Sequence, residues 1–209
     1  MIRTVAQVLI VVTLMVVTIV VVSLPVMSQQ GDDLESWSTI RGSTEEKCLF
    51  HWLREKGAGY LRGQVGNEHF LCTLPDFYGR FGLFITLVYN GRVRGCYGAF
   101  HHTTDNVESV LGDYLKGALT RDKRHRPLEA HEFEKSSIIL TVASGLYPVA
   151  SIETLDISRF GIKAHCGDGS ILVIVPSEIK SIEYLKKILS PYDVVQLFAF
   201  RCVTLRAEP

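Results

Sequence analysis

The chain has 209 residues, 47% of them hydrophobic and 21% charged, which suits one globular domain plus an appendage, large enough to bury a core without metal or disulfide staples. Its 22 basic and 22 acidic side chains cancel. Removing Arg3, the one charged residue among positions 1–28, leaves 21 against 22, so net charge gives no attraction to nucleic acid or to an anionic membrane.

The first element is a hydrophobic helix. Val5 to Val22 carries no charge, and Ser23, Pro25 and Ser28 close the run. A run of this length enters hydrocarbon as a helix, because its side chains gain there and its backbone bonds internally. Two readings of residues 1–28 stand: a secretory signal peptide cut near Val26-Met27-Ser28, or an uncleaved anchor holding the membrane through residues 5–22. Both place the rest of the chain on the exported side, with Arg3 inside and Asp32, Asp33 and Glu35 across. Residues 29–43 are polar and aperiodic, and read as a linker.

Ser43 and Glu46 form a capping-box pattern ahead of a helix over residues 44–61, whose second half is weakened by Gly57 and Gly59. Gly82 to Tyr89 reads as a strand. Asn90-Gly91 predicts a type I′ hairpin turn, and Arg92 to Phe100 the returning strand. Simple alternation puts Arg92, Arg94, Cys96 and Gly98 on one face. Asp105 to Leu119 shows the clearest helical spacing, with Asp105 and Glu108 at its cap. Residues 120–131 are a charged loop. Its cations are interrupted by Asp122 and lack interleaved aromatics, so it reads as solvated rather than as a nucleic-acid patch. Ser136 to Ser144 reads as a buried strand, and Phe160–His165 with Ser170–Val175 as a hairpin around Gly167-Asp168-Gly169. Ser177 opens a short helix with Ile179, Ile182, Leu185 and Leu189 inward, and Asp193 to Leu205 is a closing strand. The mixture predicts an α+β domain over residues 44–205, with a mainly antiparallel sheet and flanking helices.

The cysteines are Cys48, Cys72, Cys96, Cys166 and Cys202, with no CxxC pair. Cys48, Cys72 and Cys202 read as small buried hydrophobes. An odd number leaves at least one thiol free or paired between chains in an oxidising compartment.

Gly82-Leu-Phe-Ile-Thr-Leu-Val-Tyr-Asn-Gly-Arg-Val-Arg-Gly-Cys-Tyr-Gly-Ala-Phe100 resembles the signature of the AMMECR-one family, a hydrophobic strand followed by Leu-Arg-Gly-Cys-Ile-Gly-Thr/Ser-Phe. Arg94, Gly95, Cys96, Gly98 and Phe100 match it; Val93, Tyr97 and Ala99 are substitutions. Asp122-Lys-Arg-His-Arg-Pro-Leu128 is similar to the family's Asp-Pro-Arg-Phe-Pro-Pro-Leu, and Gly169-Ser-Ile-Leu-Val-Ile-Val-Pro176 to its later hairpin. There are two departures. Phe160 stands where family members usually carry His, and the stretch after Pro176 is short and lacks a tryptophan. The resemblance implies an α+β domain of two subdomains, with Memo-type and radical-SAM proteins as partners. It implies no substrate, reaction or cofactor, and most relatives are intracellular.

Cys96 carries the chemical case. One reading is a nucleophilic or redox thiol with Arg94 as anion binder, Gly95 and Gly98 leaving space for a ligand, and His101 and His102 following in the adjacent turn. The other is a tightly packed strand, with glycines for close approach and an arginine in a structural ion pair. Whether the protein is an enzyme stays open; a binding module contacting the Arg94–Gly98 strand, His101 and His102 is the first expectation. Cys96 with His101 and His102, or His165 with Cys166, has no accepted metal-ligand spacing, and no metal site is assigned.

Overall fold

Six strands form one sheet in the order β2-β1-β3-β6-β4-β5, every ladder antiparallel. They are β1 (Gly82–Tyr89), β2 (Arg92–Ala99), β3 (Ser137–Pro148), β4 (Phe160–Cys166), β5 (Ile171–Ile174) and β6 (Val194–Ala207). The helices are α1 (Glu35–Thr39), α2 (Thr44–Leu61), α3 (Val107–Thr120), α4 (Ala130–Glu134) and α5 (Ile182–Leu189), with a 3-10 turn at Pro176–Glu178. The structure is a computed structural model describing residues 34–64 and 69–209. The signal peptide or anchor expected over residues 1–28 lies outside the described residues; among these, no helix is long and apolar enough to cross a membrane.

Local chemistry accounts for most elements. Ser43 Oγ accepts from the amides of Glu45 and Glu46 and caps α2, while the Glu46 carboxylate reaches back to the amide of Gly42. Asn90 and Gly91 take φ values of 50° and 68°, as a type I′ turn requires. Within α2, Gly57 leaves the space that the Phe133 ring fills, where a side chain would collide with it. Asn106, rather than Asp105, caps α3 by accepting from the Ser109 amide. Ser181, rather than Ser177, caps α5; the inward residues Ile179, Ile182, Leu185 and Leu189 are those expected.

The linker expected over residues 29–43 needs correction. Residues 34–43 belong to the folded unit, with Leu34 and Ile40 nearly buried and Trp37 fully so, its indole N–H directed at the Asp76 carbonyl at 3.4 Å. Three apolar side chains at helical spacing anchor this single short helix within a polar stretch. The two expected subdomains also take another form. One sheet carries separate packing centres: Leu83, Ile85, Leu87, Leu140 and Val142 with α2 and α3 in one, and Ile162, Ile174 and Ala199 with α5 in another. Phe84 and Phe200, alternating with Leu83, Ile85 and Ala199 along their strands, form a third with Val175, with Cys96, Phe100 and Cys202 against it.

The expected burial of Cys48 and Cys72 as free thiols is also overturned. They form a disulfide joining α2 to the segment before Phe77. Cys96, Cys166 and Cys202 are free.

Candidate functional site

A β-bulge reorganises strand β2. Leu87 pairs with Gly95 and Val88 with Val93, leaving Arg94 as the extra residue. A bulge resets the alternation of side chains. Arg94 and Cys96 therefore do not share the chemical environment that simple alternation gives them.

Arg94 turns to Glu132 of α4, whose carboxylate also takes both terminal nitrogens of Arg126 at 3.0 Å. The Glu132 side chain is only 4% exposed. The Arg94 hydrogen bond, opposed by burial and helped by the Glu129 amide, holds its pKa down to about 2. One terminal nitrogen of this arginine is thus taken by a structural carboxylate, while its Nη2 is buried without a hydrogen-bond partner. The glycines are occupied too. A Cβ on Gly95 would lie 1.9 Å from the Ala118 carbonyl oxygen of α3, and one on Gly98 2.1 Å from that of Leu83. The space they leave is filled by the protein, not held open for a ligand.

His102 bridges two elements. Its Nε2 lies 2.8 Å from the Phe81 carbonyl and its Nδ1 2.7 Å from the Tyr114 hydroxyl. A carbonyl only accepts, so Nε2 carries the proton and Nδ1 accepts from Tyr114. Burial lowers the His102 pKa. His101 is exposed. Among the described residues no three His, Cys, Asp or Glu side chains gather as a metal site.

Cys96 sits at one end of a polar chain. Ser177 donates to Thr86 at 3.2 Å, and Thr86 to the Cys96 sulfur at 3.3 Å. Its amide donates to Asp122 at 2.8 Å. Arg124 binds Asp122 through two bonds of 2.9 Å and reaches Glu178 at 2.8 Å. The charged loop is therefore docked on β2 rather than merely solvated. Burial pushes the thiol pKa far up, and the Glu178 charge adds to this; the Thr86 hydrogen bond and Arg124 oppose it. Burial also raises Glu178, only partly countered by Arg124. Asp122 feels the same burial, yet bonds from Arg124 and the Cys96 amide leave its pKa lowered.

Beside this network opens a cleft of about 580 Å³. Val88, Val93, Ile139, Leu172 and Ile174 give it an apolar lining; Arg92, Arg124, His125, Lys180 and Arg206 surround it with basic groups, and Tyr184 and Tyr192 add aromatic rims. Glu178 and Ser177 connect it to the Cys96 network. None of Arg94, Gly95, Cys96, Gly98, His101 and His102 lines it. The network residues Asp122 and Arg124 were marked in the sequence by the charged loop they belong to and by their place in the Asp122–Leu128 resemblance. Phe160, in place of the family His, packs edge-on to Tyr147 in the core beneath α5.

The AMMECR1 family model matches residues 46–190, most of the chain. The chain belongs to the AMMECR1 family. It is 34% identical over 109 residues to a protein from Methanococcoides burtonii, covering 49% of this chain and 54% of that one. It is 31% identical over 87 residues to a protein from Thermotoga maritima, covering 41% and 50%. The chain thus spans about half the length of the curated relatives it matches. In fold it is similar to the uncharacterized protein PH0010 from Pyrococcus horikoshii, whose crystal structure superposes with a TM-score of 0.58 at 16% identity over 75% of this chain and 88% of that one. In this AMMECR1 chain Arg94 to Ala99 of the signature lie on β2, whose glycines seat α3 and β1.

Proposed function

We propose that this AMMECR1 domain is an exported or membrane-tethered binding module that receives its ligand in the cleft between the β1–β2 hairpin and α5. The observation carrying this is the cleft itself. At about 580 Å³ it falls within the roughly 300–1,000 Å³ typical of small-molecule sites, with an apolar lining and a few polar groups around it. The Cys48–Cys72 disulfide supports export, since disulfides persist in oxidising compartments and are rare in the cytosol. The hydrophobic run of residues 5–22 fits the same reading.

The alternative, an enzyme using Cys96 in thiol chemistry with Arg94 as anion binder, has weaker support. A nucleophilic cysteine needs its thiolate, whereas burial works against that form here. Arg94 is engaged by Glu132.

Iodoacetamide labelling of the full chain taken directly from cells, read by mass spectrometry, tests both parts. Cys48 and Cys72 should label only after reduction, and Cys96 only after unfolding. Labelling of Cys48 and Cys72 without reductant would remove the support for export. Rapid Cys96 labelling at neutral pH, below the ordinary thiol pKa of about 8.5, would put the enzyme reading first.

A further inference from the structure

The cleft's charge is one-sided in a chain whose total charge is zero. Four of its lining residues are permanent cations, Arg92, Arg124, Lys180 and Arg206, and the sole lining carboxylate is Glu178. That carboxylate is committed: one oxygen receives Arg124 at 2.8 Å, the other the Val175 amide at 3.3 Å. Arg124 is held in place by Asp122 from behind, and Arg206 bonds Glu208 at 2.6 Å. Arg92 and Lys180 are exposed and have no carboxylate partner among the described residues. A cationic ligand would meet repulsion and no free carboxylate. A neutral apolar ligand would use the lining but leave Arg92 and Lys180, the latter over the Tyr184 ring at 5.6 Å, without an anionic partner beside it. Both requirements are met by a molecule with an anionic head and an apolar body. Charge-assisted hydrogen bonds to the head are the strong ones, and an arginine grips a carboxylate or phosphate through two of them.

We infer that the cleft binds a small amphipathic organic anion, its carboxylate or phosphate held by Arg92 and Lys180 and its apolar body against Val88, Val93, Ile139 and Leu172. This rests on the reading of the cleft as a binding site. Arg124 is neutralised by Asp122 and Glu178 and turns away from the ligand; Arg92 and Lys180 make the direct contact at the mouth.

Calorimetric titration of the full chain with 1-naphthyl phosphate, 1-naphthol and inorganic phosphate tests the inference. Naphthyl phosphate should bind, with an affinity that falls as salt is added. Both the neutral alcohol and the bare anion should bind about tenfold more weakly or worse, each lacking half of the match. The double variant Arg92→Gln, Lys180→Gln should lose about tenfold toward naphthyl phosphate. Both positions are exposed, so the fold should be unaffected. Equal binding of 1-naphthol and naphthyl phosphate, or no effect of the double variant, would overturn the choice of an anion. Val93→Trp separates that failure from a failure of the site. A Trp there should block binding of every probe at an unchanged thermal midpoint; if a correctly folded Val93→Trp binds naphthyl phosphate as the wild type does, the cleft is not the binding site and both readings fall.

Discussion

The Asp122 carboxylate accepts the backbone N–H of Cys96 at 2.8 Å, fastening a charged loop to a strand 26 residues earlier. The same carboxylate holds Arg124, which reaches on to Glu178, and both acidic side chains are under a tenth exposed. Asp122→Ala removes the acceptor of the Cys96 amide and leaves the half-exposed Arg124 with Glu178 alone. The expected cost is about 2 kcal/mol, because a buried amide left without its acceptor keeps its full desolvation penalty. Asp122→Asn keeps an acceptor for the amide and should cost less. Urea unfolding at neutral pH measures both. A loss below about 1 kcal/mol for the alanine variant would reduce the network to the level of an exposed ion pair.

Gly95 and Gly145 are both strand glycines, yet substitution should separate them. At Gly95 a Cβ meets the Ala118 carbonyl oxygen at 1.9 Å, and since both sides of that contact are backbone, no rotamer change relieves it. Gly95→Ala should therefore push α3 from the sheet and cost at least about 3 kcal/mol. At Gly145 nothing lies within 4 Å. Gly145→Ala should stay within about 0.5 kcal/mol of the wild type. Thermal unfolding of the two variants side by side checks the contrast. A neutral Gly95→Ala would mean that the glycine is not needed for packing, and would reopen the space above it for a ligand.

What the sequence revealed and what it hid divide by range. The bounds of α2 and β1 and the Asn90-Gly91 turn follow from spacing and turn chemistry within a few residues, and they agree with the structure. The short α1 was hidden because Leu34, Trp37 and Ile40 are its whole apolar signal. The bulge at Arg94 has no local mark, yet it decides which way the signature's side chains face. The Cys48–Cys72 pairing was equally hidden, since five cysteines without a spacing pattern fix no connectivity. At the site, the signature strand was legible as the important one. The cleft beside it was not, because Arg92, Lys180 and Arg206 come from three separate parts of the chain.

The disulfide closes a loop between residues 24 apart and ties α2 to the segment that places Phe70 on Trp52 and Phe77 in the core. A loop of that length restricts the unfolded chain enough to contribute about 3 kcal/mol. Cys72→Ser should lose that amount. Reductant should lower the wild-type thermal midpoint and leave that of Cys72→Ser unchanged. A wild-type midpoint insensitive to reductant would show that the bridge is absent in the purified protein, and would take with it the structural support for export.

Stability should fall with acid in two windows, the upper one shared by His102 and His125 and the lower one by carboxylates with lowered pKa, Asp122 and Glu132 among them. His102 has its folded pKa lowered, chiefly by burial, so the unfolded chain takes up the proton first. Its contribution is complete above the unfolded value of about 6.5 and is lost as pH falls from there toward the lower folded value. Glu132 acts in a more acidic window. Its pKa is 4.5 ordinarily and about 2 in the fold, so its contribution is present above 4.5 and lost progressively as pH falls toward 2. The largest cause of that lowering is the Arg94 hydrogen bond. Arg94→Met should raise the Glu132 pKa, with Arg126 still holding part of the shift, and move the acidic stage to higher pH. The His102 stage should stay in place, since His102 is bonded to Phe81 and Tyr114 instead. Urea midpoints measured across pH 2–7 for the two proteins resolve the stages. An unchanged acidic stage in Arg94→Met would show that Arg126 alone suffices for Glu132, and would leave the signature arginine without the structural role its ion pair gives it.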